Sequence, residues 1–237
     1  MKPIQSLIIV ALLLLSASCR EKEPVVIVME DAVTDYDGNK YDAVQIGKQV
    51  WMKENLRTTH YADGRPVDTS FYKPHLGHEN EVERYGYVYH AHAALEETTL
   101  ENGDPSGIQG LCPDGWHLPS RYEWVILSRY VSQYESDVVG ALTWEAARLA
   151  DTSDLHEHTE LNSFAFSAQP VQPCYSFMQD GTMSIFWTSN AVEETTNGST
   201  YRVKYRVLLD YYRKTQMNFE RIYYNSSGDA SVRCVRD

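Results

Sequence analysis

The sequence predicts an α+β fold, with mixed antiparallel sheets, two short helices and long irregular loops. Three observations lead there. The 237 residues carry 17 tyrosines, 5 tryptophans and 6 phenylalanines, and aromatics suit the half-buried face of a pleated sheet. Turn signals built on Gly, Pro, Asn and Asp cut the chain into apolar runs of strand length. Helical spacing is confined to two places, after Ser120 and around Thr143–Asp151. Apolar content of 43% and charge of 23% are those of an ordinary globular chain, long enough to bury a core.

The elements follow in order. In "VTDYDGNKYDAVQIGKQVWMKENLR", Val33–Arg57, Asp37-Gly38 separates two runs holding Tyr, Val and Ile. Gly tolerates the positive φ of a tight turn, so this is a hairpin. Ile46–Gln49 forms a second turn into "VWMKENL", and the domain opens as a meander. Tyr61–Gly86 is rich in turn formers and charge and reads as loop. "YGYVYHAHAAL", Tyr85–Leu95, fits a strand or the start of a short helix. "CPDG" is a turn with Pro113 at its first central position and Gly115 at its exit. Ser120 and Glu123 fit a capping box, and Trp124, Leu127 and Val131 recur at helical spacing. From Phe164 the chain returns to strands: "FAFSAQPV", "SIFWTSN", "TYRVKYRVLLDYY", "ERIYYNSS" and "ASVRCVRD". "TTNGST", Thr195–Thr200, reads as a loop. No repeat or linker divides residues 33–237, so they are one domain.

The N-terminus sets the compartment. Lys2 precedes an apolar run, Leu7–Leu15, too short to span a bilayer and typical of a secretory signal. It ends in "LSASC", which resembles a bacterial lipobox, with Ser16 where the common pattern has Leu. On this reading residues 1–18 are removed and Cys19 is lipidated. Several acyl chains on one residue give stable anchoring where one chain binds marginally. Residues 19–32 are a charged tether, with a short strand in "VVIV". The expected location is the cell envelope, lipid-anchored in the outer membrane, on its periplasmic or outer face. Losing Lys2 moves the net charge from −12 to −13. Such a chain, with no Lys/Arg stripe, is not a nucleic-acid binder.

Candidate chemistry is sparse. His90/His92 and His156/His158 are His-x-His pairs, and residues i and i+2 of a strand share a face. A metal site needs further ligands, and none stands at a matching spacing, so no metal and no cofactor are expected. His117 reads as structural. No nucleophile elbow, zinc-protease motif or phosphate loop occurs, and nothing beside Cys174 supplies a base, so the chain does not read as an enzyme. With Cys19 lipidated, Cys112, Cys174 and Cys234 allow one disulfide and one free thiol, and spacing does not pick the pair. Tyr72, Tyr89, Trp187 and Tyr201 are the aromatic candidates for ligand contact, with core packing the competing reading for each.

Several blocks together resemble the Fibrobacter succinogenes major paralogous domain. They are "VTDYDGNKYDAVQIGKQVWMKENLRTTHYADG", "YGYVYHAHAAL", "LCPDGWHLPSRYEW", "FWTSN" and "SVRCVRD", in the family's order across Thr34–Asp237. Two departures are "YHAHA" in place of an asparagine-aromatic segment, and "SAQPVQPCY", which brings in Cys174. "GWHLPSRYEW" is also distantly similar to a block of formylglycine-generating-enzyme-like domains, which have a C-type-lectin-like fold. The resemblance implies that fold, often on a lipoprotein, and no activity. It also implies a Cys112–Cys234 bridge, since both cysteines lie in family blocks. The function it implies is a lectin-like binding or adhesion domain for a glycan or protein. The alternatives are a structural or fimbria-associated surface subunit with a protein partner and, last, an enzyme on a lectin-like fold.

Overall fold

The computed structural model describes residues 24–75, 79–96, 107–134, 162–168, 183–210, 217–223 and 228–237. Cys19, Cys174, His156, His158 and the helix expected at Thr143–Asp151 lie outside them. The described residues form an α+β fold made mostly of sheet. Its strands are β1 (Ile27–Thr34), β2 (Lys40–Ile46), β3 (Gln49–Met52), β4 (Tyr72–Pro74), β5 (Tyr87–His90) and β6 (Trp116–His117). They continue with β7 (Met183–Thr196), β8 (Ser199–Asp210), β9 (Met217–Tyr223), β10 (Asp229–Ser231) and β11 (Val235–Arg236). Three helices accompany them, α1 (Val82–Tyr85), α2 (Ala91–Leu95) and α3 (Arg121–Val131). One sheet has the order β1-β2-β3-β11-β6 and the other β4-β5-β10-β7-β8-β9. Neighbours are antiparallel except β10 beside β7, which makes the second sheet mixed.

The opening meander forms as the turn chemistry requires. Gly38 at φ +84° and Gly47 at φ +62° occupy the left-handed region that L-residues with a Cβ avoid. β1 starts at Ile27, paired with Gln45, so it takes up residues expected to be tether. A register shift between Met29 and Val33 accompanies a positive φ at Asp31.

Side-chain alternation feeds two cores at once. On β2, Tyr41 and Ala43 enter one cluster while Val44 and Ile46 enter the other. β3 divides Val50 and Met52 from Trp51, and β7 divides Ile185 and Trp187 from Phe186. Strands covered on both faces therefore read as continuous apolar runs. The second cluster is an aromatic nest: Trp51 and Trp124 centroids lie 4.7 Å apart, Trp124 and Phe186 5.3 Å. Each such pair adds about 0.5–1.5 kcal/mol beyond area burial.

The segment from Cys112 to Trp124 ties these layers together. Cys112 is disulfide-bonded to Cys234 across 122 residues of sequence, both fully buried. The turn after it is shifted by one residue from expectation. Trp116 N–H donates to the Pro113 carbonyl at 3.0 Å, so Asp114 and Gly115 are the central pair and Gly115 takes φ +78°. α3 starts with the expected capping box between Ser120 and Glu123. Its buried side chains are Trp124, Leu127 and Val131.

Four local expectations change. "YGYVYHAHAAL" is both options in succession, strand β5 and then helix α2. Tyr61–Gly86, expected as loop, holds the 3-10 turn Thr69–Phe71, strand β4 and helix α1. The described part of "FAFSAQPV" is not a strand. Ala165 and Ser167 sit at φ +51° and +56°, an alternation that breaks extended backbone, although Phe164 and Phe166 are fully buried. The fully buried Arg233 guanidinium donates to the Phe166 carbonyl, to the Ser167 carbonyl at 3.3 Å and to Asn55 Oδ1 at 2.5 Å. Those bonds offset a conformational cost of about 1–2 kcal/mol per left-handed residue. Thr195–Thr200 is a tight hairpin turn, not an open loop. β7 and β8 run up to Asn197-Gly198, both at positive φ, the pairing favoured by hairpins.

Candidate functional site

The four aromatic candidates part company. Tyr89 and Trp187 are fully buried, and Trp187 Nε1 donates to the Tyr89 carbonyl at 2.7 Å. The Tyr89 hydroxyl donates inward to the Thr58 carbonyl at 2.9 Å. Both are core residues whose polar ends are satisfied within the fold, so neither reaches a ligand; the expectation that they contact one is corrected. Tyr72 is half-buried on the edge strand β4, edge-on to Tyr87 at 5.0 Å. Tyr201 is 40% exposed on the outer half of the β7–β8 hairpin, opposite Glu194. Tyr72 and Tyr201 lie in the first and fifth strands of one sheet and do not form one site.

The histidines separate in the same way. His90 ends β5 and His92 lies in α2, so they are not two positions of one strand. Their rings still stack at 5.2 Å, with Phe71 stacked 5.5 Å from each. His92 N–H donates to His90 Nδ1 at 3.3 Å. Burial, then the neighbouring His92, pushes His90 below its usual range. Among the described residues no group of three or more His, Cys, Asp or Glu side chains is placed to hold a metal. His117 is locked between carboxylates: Nδ1 is 2.6 Å from Asp237 Oδ1 and Nε2 2.8 Å from Glu123 Oε1. Burial opposes its charge, but the bonds to Glu123 and Asp237 win and raise its pKa.

Another cluster of exposed and polar groups among the described residues lies at the β1–β2 turn. The turn is fastened by Asp35, whose Oδ1 accepts Asn39 N–H at 2.9 Å and whose Oδ2 accepts the Tyr41 hydroxyl at 2.6 Å. Asp37 in that turn reaches across to the loop after β3. Its Oδ2 accepts Thr59 N–H at 2.5 Å, and its Oδ1 lies 2.6 Å from His60 Nδ1. Burial works against the Asp37 charge, but these partners outweigh it and hold its carboxyl below the usual range. The second loop is itself a small hairpin. Tyr61 N–H donates to the Arg65 carbonyl at 2.9 Å, and Gly64 N–H to the Tyr61 carbonyl at 3.0 Å.

Tyr36 lies between the two loops. Its side chain is among the large apolar groups left exposed, at 60%. It nonetheless touches the second loop. Its ring lies so close to Gly64 that a Cβ there would meet the ring at 2.6 Å, and the His60 ring is 5.4 Å away. Asp63 and Arg65 flank Gly64, paired Nε to Oδ2 at 2.6 Å with side chains more than half exposed. Arg65 also bonds Glu96 and lies 4.9 Å over the Tyr61 ring. Tyr87 is adjacent: burial, then the charges of Glu79, Tyr72 and Asp37, pushes its phenol up. Of these rings Tyr36 is exposed, while Tyr61, Tyr72 and Tyr87 are half-buried against the core. Sequence reasoning treated "YDGNKY" and "HYADG" as turns only. The missed signal is Tyr36 directly before Asp37-Gly38, an aromatic in a tight turn and left exposed there.

The sequence pattern of the Fibrobacter succinogenes major domain matches residues 44–236, from β2 through β11. The chain belongs to that family. No curated protein matches the chain, and no solved structure does. In this member of the Fibrobacter succinogenes major domain family, the matched segment holds the disulfide, the capped α3 and the His60–Arg65 loop. Tyr36 and Asp37 precede it. No helix of the described residues is long and apolar enough to cross a membrane.

Proposed function

We propose that the chain is a lipid-anchored binding module of the cell envelope, held to the outer membrane through acyl chains on Cys19. Its ligand would be taken by the surface around Tyr36, with Tyr72 at its margin. One observation carries this reading: an aromatic ring 60% exposed yet backed by Gly64 and His60. A ring fixed before binding loses little freedom on contact. The buried disulfide fits an exported protein, because such bonds persist outside the reducing cytosol.

The module is proposed to be non-catalytic. His117 has both ring nitrogens engaged by carboxylates, which leaves neither free to act as a base. A second reading, a structural subunit with a protein partner, draws on β1. That strand is a sheet edge with Ile27 and Val28 exposed and Val25 exposed just before it, and edges invite pairing with another chain.

Two experiments test these readings. Metabolic labelling with palmitate should mark the wild type and not Cys19→Ala; equal labelling would remove the anchor. A glycan array beside an envelope pull-down separates the ligand classes. Saturable glycan binding supports the first reading, and envelope proteins captured without glycan binding support the second.

A further inference from the structure

We infer that the Tyr36 ring is a stacking platform for a neutral saccharide, with Asp63 and Arg65 reading the sugar's hydroxyl groups. This rests on the proposal that the Tyr36 surface binds a ligand, and it names the ligand's chemistry.

The platform comes first. A sugar ring presents a face of C–H groups and an edge of hydroxyls, so its site needs a flat apolar surface beside planar polar groups. Tyr offers a rigid amphipathic surface with few torsions to freeze. Tyr36 has its torsions restricted already, by the loop at Gly64 and by His60. His60 is in turn held by Asp37, and Asp37 by Thr59. Gly64, at φ +86°, is required twice, by its left-handed backbone and by the approach of the ring.

The polar edge comes second. Asp63 and Arg65 stand on either side of Gly64, joined at 2.6 Å, with side-chain exposures of 54% and 57%. A carboxylate accepts and a guanidinium donates. Two neighbouring hydroxyls, one donating and one accepting, match that pair. An extended peptide would need an apolar groove, and the rim here is charged and polar.

Charge excludes acidic sugars. Asp63 and Glu96 both bond the Arg65 guanidinium and Asp37 adds a third carboxylate beside His60, on a chain of net charge −12. A uronate or sialate would meet net repulsion.

The test uses the full-length protein in mild detergent, with fold checked by near-UV circular dichroism and an intact disulfide by mass. The probes are cello-, xylo-, manno- and N-acetylglucosamine oligosaccharides, with sialyllactose and oligogalacturonate as acidic counterparts. Expected is saturable binding of at least one neutral series. Tyr36→Ala should weaken it by on the order of tenfold, the effect of losing one well-packed contact, while Tyr36→Phe keeps most of it. Gly64→Ala should weaken it several-fold although Tyr36 is intact, because the ring is displaced. Neutral binding unchanged in Tyr36→Ala would overturn the platform and leave the binding module standing elsewhere on the surface. Binding of the acidic probes in preference would overturn the neutral class. A folded wild type that binds no saccharide overturns the inference, and if it also captures no envelope component the module reading falls with it.

Discussion

His117 and His60 each hold a ring nitrogen 2.6 Å from an aspartate oxygen, yet the two sites serve different ends. The His117 side chain is 9% exposed and Glu123 takes its second nitrogen. It joins β6, the first turn of α3 and the end of β11, beside the buried disulfide. His60 is 33% exposed, and its aspartate comes from a surface turn. It fixes a loop and leaves an aromatic ring in water. The same pair of groups is a fastening in one place and a scaffold for a surface in the other. Burial makes the difference, because an unmade polar bond costs about 1–3 kcal/mol inside the protein and much less where water replaces it.

Four measurements break or sharpen that contrast. The largest effect belongs to the buried side. Replacing Cys112 and Cys234 together by Ala should cost about 4–5 kcal/mol, the loop-entropy expectation for a bridge of this span, read as a lower denaturant midpoint. Next is Arg233→Met, which leaves the Phe166 and Ser167 carbonyls and Asn55 without their donor. About 3 kcal/mol should be lost, and the 162–168 segment should become accessible to protease. A change below 1 kcal/mol would mean that these left-handed residues do not depend on the guanidinium.

His117→Gln should cost about 1–3 kcal/mol near pH 6, with a signed pH dependence. The folded pKa of His117 lies above its ordinary 6.5. Its contribution is therefore full below pH 6.5 and lost as pH rises through the folded value. Glu123 is the reverse. Burial pushes it up, but the bonds from His117 and Ser120 win and hold it below 4.5, so its contribution is lost as pH falls through that lower value. The melting-temperature gap between wild type and His117→Gln should peak between those limits and shrink as pH rises through the folded His117 value. A gap that widens in alkali would refute the charged lock. The smallest effect belongs to the exposed side. Tyr36→Ala should change stability by no more than about 0.5 kcal/mol while changing ligand binding. A larger stability loss would make Tyr36 structural and erase the contrast.

The two sides were unequally legible in sequence. The Ser120–Glu123 box and the Trp124, Leu127, Val131 face depend on residues within a dozen positions of one another, so local spacing displays them. The Cys112–Cys234 bridge came through the family resemblance, since spacing alone left three cysteines equivalent. Asn197-Gly198 was legible and misread: an Asn-Gly pair between Thr-rich runs is a hairpin turn. The bend at Ala165 and Ser167 was not legible, because beside the local bonds to Asn162 it meets Arg233, 66 or more residues away. The burial of Tyr89 and Trp187 depends equally on distant strands, and composition cannot separate a core aromatic from an exposed one.

By itself, then, the sequence determined the sheet-rich α+β class, the turns set by glycine, the capped helix and the family. These follow from backbone preferences and short-range periodicity. Tertiary structure alone decided which faces of β2, β3 and β7 meet which core, and why the 162–168 segment bends. It also decided that Tyr36, and not Tyr89 or Trp187, stands in water. A side chain's exposure depends on what folds against it, and for Tyr36 the contacts come from Gly64 and His60, on another loop.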